Sequence, residues 1–379
     1  MTLHSKGMDE KPGPVVCSMA RVRKVLVTGF EPFGGHPENI SQDVAQRFMA
    51  VETVQDPWTG EVLPVACETA ILSVDAAGSM DIAGRLEDGE SWDAILHLGL
   101  CERCDVPRIE RLARDVLDMR IPDNAGRQER HASLDGGGDR GCWVDPTIWP
   151  VEAFPYPFEL STNAGAYLCN ETYFRTLAAL AATHQGSPLP PTCLFVHLPH
   201  HTSMAVDDAF AFSLRCLAYL VQPFPPSTIH VVAGHLAMSN SQHVVTQRPE
   251  GDGDEGRWEY PGGKCEQGEH WRQSLSRELN EELNLSVKPR HLLGTWVRTI
   301  KSTHYAVHLA HCEWAQDPET IHLRAHAAYQ LVDPHHPPTF PWAGRDGELF
   351  AHISELSHNQ VDASPSGSMA KSSLMDRGT

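Results

Sequence analysis

Apolar residues in this chain fall into short unbroken runs that end at glycine or proline. Between them lie longer stretches where they recur every three or four positions. "RKVLVTGF" (23–30), "DAILHLGL" (93–100) and "TCLFVHLP" (192–199) are runs of the first kind and read as buried strands. "SQDVAQRFMA" (41–50) predicts a short helix with Ser41 as its N-cap, and "AVDDAFAFSLRCLAYLVQ" (205–222) a longer one. Strands alternating with helices predict an α/β domain. The pattern stops at "PFPPS" (223–227), and a new strand pattern begins in "TIHVVAGHLAMSNSQHVVTQRP" (228–249), with "SNSQ" as a hairpin turn. "EGDGDEG" (250–256) reads as a polar loop.

The organisation predicted is a flexible leader (1–21), a first domain (22–222), a linker (223–227), a second domain (228–357) and a serine-rich, disordered tail (358–379). A length of 379 residues supports two cores rather than one. With 30 Lys and Arg against 49 Asp and Glu, the net charge is −19. That surplus argues against nucleic acid or an anionic membrane as partner, yet leaves room for small phosphorylated substrates handled with a metal. No apolar run is long enough to span a bilayer, and the first twenty residues lack a secretion signal's apolar stretch, with Met8 and Met19 as rival starts. Ten cysteines without a framework spacing fit a reduced, cytoplasmic setting. The CxxC pair, Cys101 and Cys104, has no second pair and is read as neither a zinc nor a redox site.

One stretch concentrates negative charge: "YPGGKCEQGEHWRQSLSRELNEELNL" (260–285). On a helix Glu278, Glu281 and Glu282 share a face, and three carboxylates together repel unless solvent or a divalent cation relieves them. Gly263, Glu269, Arg277, Glu278, Leu279, Glu281, Glu282 and Leu285 fit G-x5-E-x7-R-E-U-x-E-E-x-G-U, where U is a bulky aliphatic. The segment, with its "WEYPGGK" lead-in, resembles the Nudix box of MutT-type hydrolases, the likeness running over about 228–352. Asn284 stands where the box has glycine, a place that wants a left-handed backbone, which asparagine tolerates. The resemblance implies that Glu278, Glu281 and Glu282 hold Mg²⁺ or Mn²⁺, that Glu278 also serves as base, and that Arg277 orients the carboxylates. Gly263 and Glu269 then support the loop–helix–loop. The implied substrates are nucleoside diphosphate derivatives or nucleoside triphosphates.

The first domain carries a second set. "VTGFEPFGG" (27–35) is a strand and glycine-rich turn without a phosphate-binding signature. Together with "RIPDNAG" (120–126), "STNAGAYLCN" (161–170) and "FVHLP" (195–199), it resembles pyroglutamyl peptidase I, the pyrrolidone-carboxyl peptidase family. The resemblance implies a Cys169–His197–Glu110 triad acting without a cofactor on N-pyroglutamyl peptides. It also implies a slot for the lactam ring lined by Phe30, Phe33, Ile121, Tyr167 and Leu168, with Arg120 near the oxyanion. Independently, Cys169 precedes a helical pattern, where the helix dipole favours a thiolate.

Several stretches depart from that family. "LDGGGDRG" (134–141) looks inserted, "CWVDPTIWPVEAFPYPFELS" (142–161) is too proline-rich for the usual helix, and "NIS" (39–41) replaces asparagine-proline-serine. "RIERLARDVL" (108–117) has helical spacing where the family is extended.

The expectation is therefore an α/β protein with a three-layer α/β/α peptidase domain, its sheet mixed and twisted. To it is fused a Nudix α/β/α sandwich, separable at the linker because neither motif set borrows residues from the other. A homo-oligomer is compatible with this reading. Two alternatives stand beside it: an N-terminal half that only binds pyroglutamyl ends, and a C-terminal half that only senses a nucleotide.

Overall fold

The computed structural model describes residues 21–184, 189–251 and 253–363. The expected leader up to residue 20, and the expected tail from 364, lie outside the described residues. The N-terminal half runs β1 (Arg23–Phe30), α1 (Ile40–Arg47), β2 (Val51–Gln55), β3 (Val62–Leu72), α2 (Ala76–Glu87) and β4 (Ala94–Cys101). It continues through β5 (Arg108–Glu110), β6 (Leu112–Ala113), β7 (Arg140–Gly141), β8 (Glu159–Ser161), α3 (Leu168–Thr183), β9 (Thr192–Pro199) and α4 (Val206–Val221).

Seven strands form one mixed sheet in the order β2-β3-β1-β4-β9-β5-β8, with β3, β1, β4 and β9 parallel, β2 antiparallel to β3, and β5 antiparallel to β9 but parallel to β8. Helices α1 and α4 pack together as one layer, α2 and α3 as the other. Strand β9 is buried at every position and β4 at all but its last, which is why their sequences read as unbroken apolar runs.

Two local expectations are corrected. The N-cap of α1 is Asn39, whose side chain accepts from Ser41 N, while Ser41 Oγ accepts from Phe30 N at 3.1 Å and ties the helix to β1. Residues 108–113 are not helical. Arg108–Glu110 is drawn into the sheet between β9 and β8, so tertiary pairing overrides the helical spacing.

The C-terminal half runs β10 (Ile229–His235), β11 (His243–Gln247), β12 (Trp258–Glu259), β13 (Gly262–Lys264), α5 (Trp271–Leu283), β14 (Lys288–Ile300), β15 (Thr303–Glu313), β16 (Ala328–Val332) and α6 (Asp346–Ala363). The sheets are β13-β10-β15-β14 and β12-β11-β16. "SNSQ" does turn the chain, with Ser241 at φ 68°, but β10 and β11 enter different sheets and share one bridge, Ala237 to His243. Helix α6 extends to Ala363, six residues into the stretch expected to be disordered.

Alternation along the strands divides this half into two cores. Val232, Leu292 and Ala310 pack under α5 with Leu275 and Leu279, whereas Ala233, Leu293 and Leu309 pack under α6 with Leu349 and Ile353.

The two halves are not independent. Leu112 is buried in the core beneath α6, and Trp143 in the core beneath α5, its ring 5.3 Å from that of Trp271. Between them β7 lies along β14, the edge of the four-stranded sheet. A Cβ on Gly141 would stand 2.3 Å from the Leu293 backbone, so only glycine permits this approach. The segment that looked like an insertion is the docking strand. Packing residues thus cross between the halves, although neither Leu112 nor Trp143 belongs to either motif set.

Candidate active sites

Cys169 is the second residue of α3, with Tyr167 at the N-cap. Its sulfur faces His197 on β9 within hydrogen-bonding reach, and His197 Nδ1 meets Glu110 Oε1 at 2.8 Å. Antiparallel pairing of β5 with β9 sets Arg108 opposite His197 and Glu110 opposite Phe195, which brings the carboxylate beside the ring. Glu110 is 1% exposed, and its second oxygen has no hydrogen-bond partner among the described residues. Burial pushes the His197 pKa down, but hydrogen bonds to Cys169 and Glu110 and their charges outweigh it and raise the value to about 10. The arrangement favours an imidazolium at His197.

Gly99 on β4 lines the sulfur's other side, where a Cβ would stand 3.1 Å from Sγ and 2.7 Å from the Phe195 ring. A cavity of about 400 Å³ opens beside two of the three triad residues, Glu110 and His197, and is lined also by Phe33, Arg120, Ile121 and Tyr167 among others. Phe30, Phe33, Tyr167 and Leu168 adjoin it around Cys169. Phe30 and Leu168 are buried, Phe33 and Tyr167 half-buried, Arg120 and Ile121 exposed. Tyr167 OH donates to Pro122 O at 3.2 Å, tying the "RIPDNAG" loop to the loop before the nucleophile. On the same rim Cys101 and Cys104 are joined in a disulfide, which corrects the reading of that pair as reduced.

In the C-terminal half Arg277 is the hub. It holds Glu269 with two bonds of 3.0 and 2.9 Å, Glu278 at 2.9 Å and Glu281 at 3.3 Å. The first of these, to Arg277, holds the Glu269 carboxyl down at about 2. Glu278 lies over Gly263, where a Cβ would come within 2.5 Å of its carboxylate. Asn284 caps α5 at φ 56°, ψ 30°, the left-handed conformation the box requires.

The three helix carboxylates do not all gather. Glu281 points to solvent, whereas Glu282 is half-buried, accepts from Gly262 N at 3.2 Å and faces Glu278 and Glu259. Burial pushes Glu282 up to about 7, against the opposing pull of His326 and with the further help of the Glu278 and Glu259 charges. Among the described residues no three His, Cys, Asp or Glu side chains stand close enough to hold an ion as they are. The donors are nevertheless of the right kind for a hard divalent cation: carboxylates only, one of them half-buried and facing two others, beside a glycine that leaves them room.

Residues not singled out from the sequence contribute to both sites. Asn170, next to Cys169, accepts from Arg114 N at 2.8 Å and donates to Arg114 O and Val116 O, stitching the helix start to the chain leaving Glu110. Glu171 pairs with Arg127 and Arg175. Glu259 on β12 pairs with Arg248 and stands 3.4 Å from His326, whose Nδ1 is buried without a partner among the described residues. An Asn immediately after the nucleophile was a visible signal; His326, far along the chain, gave none.

Residues 23–222 match the family model described as pyroglutamyl peptidase, and residues 228–353 that of the NUDIX domain. The chain belongs to the pyroglutamyl peptidase family and carries a NUDIX domain behind it. It is 31% identical over 196 residues to the pyrrolidone-carboxylate peptidase of Thermococcus litoralis, spanning 50% of this chain and 82% of that one. It is 27% identical over 221 residues to that of Deinococcus radiodurans, spanning 57% and 95%. Among solved structures, pyrrolidone carboxyl peptidase from Thermococcus litoralis aligns with a TM-score of 0.45 and 24% identity, covering 54% of this chain and 97% of that chain. NUDIX domains in general use a divalent metal. No described helix is long and apolar enough to cross a membrane.

Proposed function

We propose that the N-terminal half (22–222) removes an N-terminal pyroglutamyl residue from peptides. The Cys169 thiolate attacks the carbonyl that joins the lactam ring to the next residue, and His197 hands a proton to the leaving amine. Water then hydrolyses the thioester with His197 as base, while Glu110 keeps the imidazole aimed. Phe30, Phe33, Tyr167 and Leu168 form the apolar wall for the neutral ring, and Ile121 and Arg120 its exposed lip. The observation that carries this reading is the 2.8 Å bond from His197 Nδ1 to Glu110, which leaves the other ring nitrogen for the Cys169 sulfur. Release of arylamine from a pyroglutamyl arylamide, and not from a glutamyl arylamide, is the expected result; no release by the intact chain overturns it.

The C-terminal half (228–357), joined through 223–227, hydrolyses a nucleoside diphosphate linked to a further group, or a nucleoside triphosphate. Glu278, Glu281 and Glu282 would hold Mg²⁺ or Mn²⁺, which when bound neutralises a pyrophosphate and activates water. Arg277 orients Glu278, and Glu269 anchors Arg277. A panel of nucleoside diphosphate derivatives with Mg²⁺ tests this. Tight binding without turnover across the panel would replace hydrolysis with sensing.

A further inference from the structure

The chain that leaves Glu110 goes straight into the C-terminal half. Arg111 lies over the Trp296 ring at 5.5 Å, and Leu112 is buried beneath α6. Farther on, Asp145 is fully buried and accepts from Val297 N at 2.7 Å and from Arg345 Nη1 at 2.8 Å. Arg345 also donates to Val297 O and to Thr147 Oγ1, so one guanidinium ties both halves together.

The other approach to the triad is held as well. Arg111 N donates to Ser161 O at 2.7 Å, and the next residue, Thr162, donates through its hydroxyl to Glu355 on α6 at 2.6 Å. From Asn163 the chain lines the cavity and leads to Cys169. Thus the residue after the orienting acid and the loop before the nucleophile both rest on the C-terminal half. Without it Leu112 and Trp143 would face water, and Asp145 would keep Thr147 while losing Val297 N and its cation, Arg345, which costs more than the pair contributes when made.

We propose that the C-terminal half is a positioning element of the peptidase site, with Asp145 and Arg345 as its latch, so that the triad takes its working geometry only when the halves are docked. This rests on the peptidase reading above.

The test uses the intact chain with Arg345→Leu and Arg345→Lys. Arg345→Leu is expected to lower kcat on a pyroglutamyl arylamide about tenfold or more, with KM within about twofold. It should also slow alkylation of Cys169 by iodoacetamide at neutral pH about threefold or more, because the sulfur would no longer be held against His197. Arg345→Lys, which keeps a charge for Asp145, should recover most of both. If kcat and the alkylation rate in Arg345→Leu equal those of the native chain, the docking is only structural and the proposal fails, whatever happens to the melting temperature.

Should Arg345→Leu not fold, Thr162→Val carries the question, because its hydroxyl contact is exposed. A fall in kcat of about threefold at unchanged melting temperature supports positioning, and an unchanged kcat overturns it. Alkylation needs no peptide. A native chain that cleaves no pyroglutamyl substrate would retire the peptidase reading, while the alkylation rate still decides this one.

Discussion

The two sites of this molecule are built from opposite halves of the charge problem. In the N-terminal site the charges come in complementary partners: His197 sits between Cys169 and Glu110, and the set is closed by its own side chains. In the C-terminal site carboxylates outnumber cations. Arg277 satisfies Glu269, Glu278 and Glu281 but leaves Glu282 half-buried and facing further negative charge. The first site is assembled by folding alone. The second is assembled by folding only up to the point where a cation must enter.

The largest effect expected follows from the closed site. Cys169→Ser should lower pyroglutamyl arylamide cleavage by roughly 1,000-fold or more, since a hydroxyl there is a far weaker nucleophile. A chelator should leave the native rate unchanged while abolishing nucleotide hydrolysis. Metal dependence of both activities would break the contrast.

Next comes the open site. Glu282→Gln should cost about 100-fold in nucleotide hydrolysis and Glu281→Gln about tenfold, because Glu281 is exposed and already paired. With either substitution reversed in rank, Glu282 would not be the residue that waits for the ion.

A third expectation concerns acid. Burial drives His97 and His291 down to about 3, and His243 and His352 to about 4. An unfolded chain binds those protons near pH 6.5, so as pH falls from there toward 4 the native state loses about 1.4 kcal/mol per unit for each such histidine. All but His97 lie in the C-terminal half, where His235 and His308 are lowered too. Amide exchange at pH 5 should show that half losing protection first. His197 acts oppositely: its contribution is whole below pH 6.5 and disappears as pH rises through about 10. Equal acid sensitivity of the halves would remove this difference.

The smallest effect is expected from a cut within 223–227. Because Leu112, Trp143 and Asp145 hold the halves, the fragments should stay associated on size exclusion with both activities kept. Separation into two free pieces would show that the docking is too weak to matter.

Much of the architecture could be read along the chain, since a strand buried on both faces must be apolar throughout; the run at 192–199 coincides with β9. Asn284 likewise declared a left-handed helix end. What stayed hidden depended on which surface a residue would meet. Leu112 sits in a run of helical spacing and Trp143 in a glycine- and proline-rich stretch, and nothing local says that they belong to another half's cores. The extended course of 108–110 was obscured for the same reason, because its partner strands come from elsewhere. Asn39 was missed as a cap because Ser41, two residues on, is an equally good one on composition alone.

The covered edge of β14 has a consequence for biosynthesis. At about 5–20 residues per second, strands β14 and β15 leave the ribosome on the order of 10–30 s after Trp143 does. Through that interval the nascent N-terminal half must display Leu112, Trp143 and the charge of Asp145 to the surrounding medium. A chain truncated before β14 would remain in that condition, so ribosome-stalled or prematurely ended products should be the forms that chaperones retain and proteases clear.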